Sequence, residues 1–190
     1  MPRPAVAVAF LTLSLAAAAR SAAAQAAVPD PAAAAEVRRQ FVRDLDSLQA
    51  KFVALAEAFP ADKYAWRPAP GVRSVGEVFM HVASEYYTFA PAAYGGARSP
   101  AVAPGREGFQ RFEASAAKPE VLRHLREGPA YARATLGALD SAALAGPRPV
   151  FGGRHTVVET SLAVTGDLHE HLGQLIAYAR MNGVTPPWSR

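Results

Sequence analysis

The sequence predicts an all-α fold: a bundle of four helices joined by long irregular connections. Three observations carry this. Apolar residues recur at three- and four-residue spacing in long runs. Helix-start chemistry stands just ahead of those runs. No stretch shows a convincing alternation of apolar and polar residues of the kind a half-buried strand requires.

The first helix starts at Asp30-Pro31, an N-cap followed by proline at the first helical position. Val37, Phe41, Leu45, Leu48, Phe52, Leu55 and Phe59 then form one apolar stripe, which Pro60 stops. The connector "PADKYAWRPAPGVR" is broken up by proline and glycine, and its Tyr64 and Trp66 are expected to lie against the bundle. Ser74-Val-Gly-Glu77 is a capping box and opens the second helix, whose stripe is Val75, Val78, Phe79, Val82, Tyr86 and Phe89. Residues 95–117 read as loop with one short turn near Phe109. A third helix runs from Pro119 towards Leu139, with a kink or break expected at Gly128-Pro129. The segment after it reads as a small turn with one strand-like arm near Pro149–Gly153. Thr156-Val-Val-Glu159 is a second capping box, and the helix it opens should run to about Asn182 before Gly183.

Residues 1–24 read as a secretory signal peptide: Arg3, an apolar run from Ala5 to Ala19, then small residues, with cleavage after Ala24 or Ala26. That reading divides the chain into a signal peptide (1–24), a short leader (25–33) and one helical domain (34–188), exported to the periplasm or secreted. The apolar run is shorter than the ~20 residues a spanning helix needs, and no later segment is apolar enough, so no stable membrane span is expected after cleavage. With no cysteine anywhere, disulfides, thiolate ligands and a cysteine nucleophile are all excluded. The formal charge of +4 is scattered rather than clustered, so nucleic acid is not an expected partner. Nucleotide-binding glycine loops and the G-x-S-x-G elbow are also missing.

The chemistry concentrates in "TGDLHEHLGQ", residues 165–174. A helix turns about 100° per residue. Asp167 and His171, four apart, therefore share a face, while His169 points elsewhere. An i,i+4 pair can serve one ion, or it can be an ordinary surface ion pair. His81, beside the stripe of the second helix, is the candidate third ligand. Glu85, one turn on, is a candidate fourth ligand, base or hydrogen-bond partner behind the ligands. Arg67 and Arg73 could border such a site. His124 and His155 read as solvent-exposed, His169 as structural or at the rim, Gly173 as a close-packing position and Gln174 as a group that orients a ligand or caps a neighbour.

"FPADKYAWRPAPGVRSVGEVFMHVA" together with "DLHEHLGQLIAYARMNGVTPP" resembles the DinB/YfiT-like family of metal-binding four-helix bundles. The first segment resembles the family's loop and second helix and ends on its metal-binding histidine, here His81. The second resembles the H-x-x-x-H-x-G-Q motif, with His171-Leu-Gly-Gln174 in register and Asp167 standing where the family has its first histidine. The resemblance implies a divalent ion on His81, Asp167 and His171, with zinc foremost and nickel, manganese or iron as alternatives. It implies a metal-dependent enzyme with thiol-transferase-like chemistry on a small molecule and allows a homodimer, while the export reading makes a metal-assisted hydrolase an equal alternative. The competing expectation is a non-catalytic metal- or ligand-binding module of the cell envelope.

Overall fold

The computed structural model describes residues 30–140, 143–144, 146–150 and 152–189, so the expected signal peptide lies outside the described residues. Six helices are described: α1 (Pro31–Ala58), α2 (Val75–Tyr87), α3 (Phe89–Ala93), α4 (Gly105–Ala114), α5 (Lys118–Gly137) and α6 (Val157–Met181). A two-stranded antiparallel hairpin, β1 (Arg148–Val150) and β2 (Gly153–His155), precedes α6. The fold is all-α. No described helix is long and apolar enough to cross a membrane.

Local chemistry starts the long helices where the sequence says it should. Asp30 accepts from the Ala32 amide at α1. Ser74 with Glu77, and Thr156 with Glu159, form complete capping boxes at α2 and α6. Gly183, at φ +70°, takes up the left-handed conformation that follows α6, at little steric cost to a residue without Cβ.

Helices α5 and α6 each pack against both α1 and α2. The consecutive pair α1 and α2 therefore lies across the bundle, joined by the connector of residues 59–74. Leu45, Leu48, Phe52, Leu55 and Phe59 of α1 are buried, so the stripe is closed from Leu45 onward, whereas Val37 and Phe41 are only partly covered. Full burial of each such side chain contributes roughly 1.5–3 kcal/mol. The connector is held down as expected: the Tyr64 hydroxyl donates to Ala56 O at 2.7 Å, and Trp66 packs edge-on against Tyr178. Backbone amides of Val75 and Gly76 donate to Trp66 O and Tyr64 O. A Cβ on Gly76 would meet Ala116 O at 2.5 Å, so only glycine lets α2 start this close to the segment before α5.

Four local expectations change. Residues 105–114 form the ten-residue helix α4, not a loop; its stretch is short and carries only two large apolar residues, Phe109 and Phe112. Helix α2 ends at Tyr87 and a separate short α3 follows. Helix α5 runs unbroken through Pro129; the neighbouring Gly128 faces α2, where an added Cβ would sit 3.0 Å from Tyr86 Cβ. The turn near Gly152 has two paired arms, with Arg148 opposite His155 and Val150 opposite Gly153.

Candidate metal centre

Helix α2 places His81 and Glu85 one turn apart on one face, and α6 brings His171 to meet them. His81 Nε2 lies 3.0 Å from Glu85 Oε1, and His171 Nε2 lies 3.4 Å from the same oxygen. The two rings meet edge-on with centroids 4.6 Å apart. One ligand atom each from His81, Glu85 and His171 falls within 4.8 Å of the others. Glu85 is buried, and both histidine side chains are 16% exposed. The cluster is thus held by the core and still open on one side.

Groups behind the rings fix their orientation. Glu113 Oε1, from α4, lies 2.6 Å from His81 Nδ1. Arg73 in turn holds Glu113, with its guanidinium NH2 3.1 Å from Oε1. Gln174 Oε1 lies 3.2 Å from His171 Nδ1, and its amide donates to the Tyr178 hydroxyl, which donates to Arg73 O. With Nδ1 of each ring engaged by an acceptor, both Nε2 atoms are directed at the shared centre. This is the arrangement that fixes the tautomer of a metal-ligating imidazole.

Charge in the cluster is strongly redistributed. Burial works against a charged His81 ring, but hydrogen bonding to Glu113 and Glu85 wins and raises its pKa to about 9. Burial likewise opposes the Glu85 carboxylate, and hydrogen bonding from His171 and His81 overcomes it, lowering its pKa to about 2. His171 is raised mainly by its hydrogen bond to Glu85. Asp167 is pushed up to about 6 by burial and by the facing Glu85 carboxylate. The Glu85 and His171 shifts follow from one carboxylate set between two imidazoles, the His81 shift from Glu113 as well, and the Asp167 shift first from burial.

The fit to a divalent ion rests on the donors themselves. Two imidazole nitrogens and a carboxylate oxygen suit zinc and its neighbours. Glu85 Oε2 is buried and has no hydrogen-bond partner among the described residues, which is costly for a carboxylate oxygen unless something else satisfies it. Asp167 stands at the mouth of this group: its carboxyl hydrogen-bonds the Glu85 carboxylate, its Oδ1 is 3.8 Å from His171 Nε2 and its side chain is 38% exposed. The structure thus joins His81 and His171 through Glu85 and leaves Asp167 beside them.

The remaining sequence candidates fall elsewhere. Arg73 borders the site through Glu113, while Arg67 pairs with Glu77 of the α2 capping box. His169 faces away, against Asp44 at 3.2 Å. Gly173 is exposed, and an added Cβ would touch nothing within 4 Å, so it permits no close helix approach. His124 is buried, not exposed, because Tyr87 and Phe112 cover it. Glu113 escaped the sequence reading altogether. Its signal was Phe109, Phe112 and Glu113 at helical spacing after Pro104-Gly105.

Comparison with known proteins agrees with this architecture. The family model for the DinB superfamily matches residues 44–175. The solved structure of a DinB-like protein from Bacillus cereus ATCC 10987 superposes with a TM-score of 0.61 at 14% identity, covering 77% of this chain and 93% of that one; at this identity the likeness speaks to the fold alone. No curated protein matches the chain. The matched span covers more than half of the sequence and takes in α2 and the His171 turn of α6, and the chain therefore belongs to the DinB superfamily.

Proposed function

We propose that this protein is an exported metal-dependent enzyme that binds one divalent ion, zinc foremost, on His81, Glu85 and His171. The observation that carries the reading is the convergence of both Nε2 atoms on Glu85 Oε1, with each Nδ1 engaged from behind. Bound there, such an ion would supply Lewis acidity for a hydrolytic or group-transfer reaction. Glu113 and Gln174 hold the rings in the ligand tautomer, and Arg73 holds Glu113. Asp167, at the open side, is the carboxylate left to face a substrate or to add a further donor. Three protein donors beside an open face are the pattern of a catalytic site, whereas a structural site closes all four positions. The export reading rests on the order of basic, apolar and small residues in 1–26.

Elemental analysis of untagged protein tests the metal reading, because a His-tag would add its own ions. About one equivalent of a divalent metal, removed by a chelator with a fall in melting temperature, is expected. Protein without stoichiometric metal, and without any chelator effect on melting, would sink it.

A further inference from the structure

Helix α4 touches the metal centre twice. Glu113 reaches His81 Nδ1, and Phe109, one turn earlier, sets its ring edge-on to His81 with centroids 5.6 Å apart. Phe109 is also a wall of a groove of about 730 Å³, within the size range of small-molecule sites. On the α2 side the groove is lined by Thr88, three residues after Glu85 and seven after His81. Thr88 caps the C-terminus of α2, and Phe109, which lines the groove and packs on His81, is the residue that joins the groove to the metal centre.

The lining has two parts. Val102, Ala103, Pro104 and Phe109 supply an apolar surface, and Arg98 and Arg106 supply charge. Neither arginine has an ion pair or a side-chain hydrogen bond among the described residues. Most other described arginines at this end are engaged: Arg73 by Glu113, Arg111 by Glu107, Arg123 by Glu120. The loop bearing Arg98 is pinned in place, since the buried Ser99 donates its amide to Tyr87 O at 2.9 Å and its hydroxyl accepts from Ala101 N. Arg106 stands in the first turn of α4, whose N-cap, Pro104, offers no side-chain acceptor; the acidic residue of that turn, Glu107, is paired with Arg111.

Two unpaired guanidinium groups beside an apolar groove are complementary to one ligand chemistry. We propose that the groove binds a small amphipathic anion, a carboxylate on an apolar body, with Arg98 and Arg106 on the carboxylate and Phe109 between the apolar body and His81. Such molecules would be the substrate class of the enzyme, a step that rests on the metal reading; the binding itself does not.

Calorimetry on the full-length protein tests this with octanoate and its neutral counterpart octanamide as probes. Octanoate should bind one to one and at least about tenfold more tightly than octanamide, the margin expected of charge-assisted contacts. The double variant Arg98→Ala/Arg106→Ala should weaken octanoate about tenfold or more and leave octanamide and metal content unchanged. Neither side chain has an ion pair or side-chain hydrogen bond among the described residues, so the variant should melt like the parent. Removing the metal with a chelator should keep octanoate affinity within about threefold. Equal affinity for the two probes, no binding of either, or full octanoate affinity in the arginine variant overturns the proposal. So does octanoate binding that disappears on chelation, because the carboxylate would then sit on the metal. Elemental analysis of the same samples reads the metal hypothesis separately, so its failure is distinguishable from failure of the groove.

Discussion

His81 and His124 are both on helices and both covered by aromatic rings, yet their surroundings drive them in opposite directions. The His81 ring stands between two carboxylates, Glu113 at 2.6 Å and Glu85 at 3.0 Å, and its pKa rises to about 9. The His124 ring stands between the Tyr87 hydroxyl at 3.3 Å and the Arg123 guanidinium at 2.7 Å, with Phe112 edge-on at 4.7 Å. Burial, and then the Arg123 charge, lower its pKa. Depth alone therefore says little about a histidine; the sign of what faces each nitrogen decides whether it is a charged pair, a ligand or a packed neutral ring. His81 has a second imidazole and a carboxylate with a spare buried oxygen beside it, whereas His124 has aromatic rings.

The largest expected effect separates the two regions directly. His81→Ala or His171→Ala should reduce metal affinity by more than about 100-fold, beyond what loss of a supporting partner does. His124→Ala should leave metal content unchanged, and equal metal loss in all three by elemental analysis would dissolve the distinction. Next comes the support behind the ring. Glu113→Gln should weaken metal binding by about 10–100-fold in a competition titration against a chelator. An unchanged affinity would reduce Glu113 to a surface partner of Arg73.

A smaller effect is expected on stability. His124→Ala should cost about 1–3 kcal/mol in denaturant unfolding, because a buried polar contact and aromatic packing are both lost, while bound metal stays stoichiometric. The smallest effect is the pH dependence of the chelated, metal-free protein. The pKa of His81 is raised on folding, so its contribution is fully present below its ordinary value near 6.5 and is lost as pH rises through about 9. The pKa of His124 is lowered, so its contribution is present above its ordinary value and is lost as pH falls through the depressed one. Melting curves should thus show the His81→Gln variant losing its deficit towards high pH and the His124→Gln variant losing its deficit towards low pH. The same slope for both would show that neighbours do not set these rings apart.

Much of this molecule is written locally. The Asp30 cap, the two capping boxes, Gly183 and the stripe from Leu45 to Phe59 are decided within a few residues of chain, by unsatisfied helix-end amides and by a 3.6-residue period. Helical period also places Asp167 and His171 on one face and sends His169 to Asp44. What the sequence could not reach was decided between elements. Glu85 lies between the two imidazoles, and Asp167 at the mouth, because α2 and α6 pack at one particular height, which no spacing along either helix encodes. Glu113 enters from a ten-residue helix with only two large apolar residues, Phe109 and Phe112, and its approach to His81 is set by burial of Phe112 against the bundle. His124 is covered by rings from α2 and α4, and its pKa is lowered by that burial and by Arg123, while Pro129 is carried inside α5 by a helix whose apolar face is fixed on both sides of it. Caps and periodicity act over one or two turns and are legible in order along the chain; ligand geometry and charge state depend on which distant groups the packed core brings to the same few ångströms.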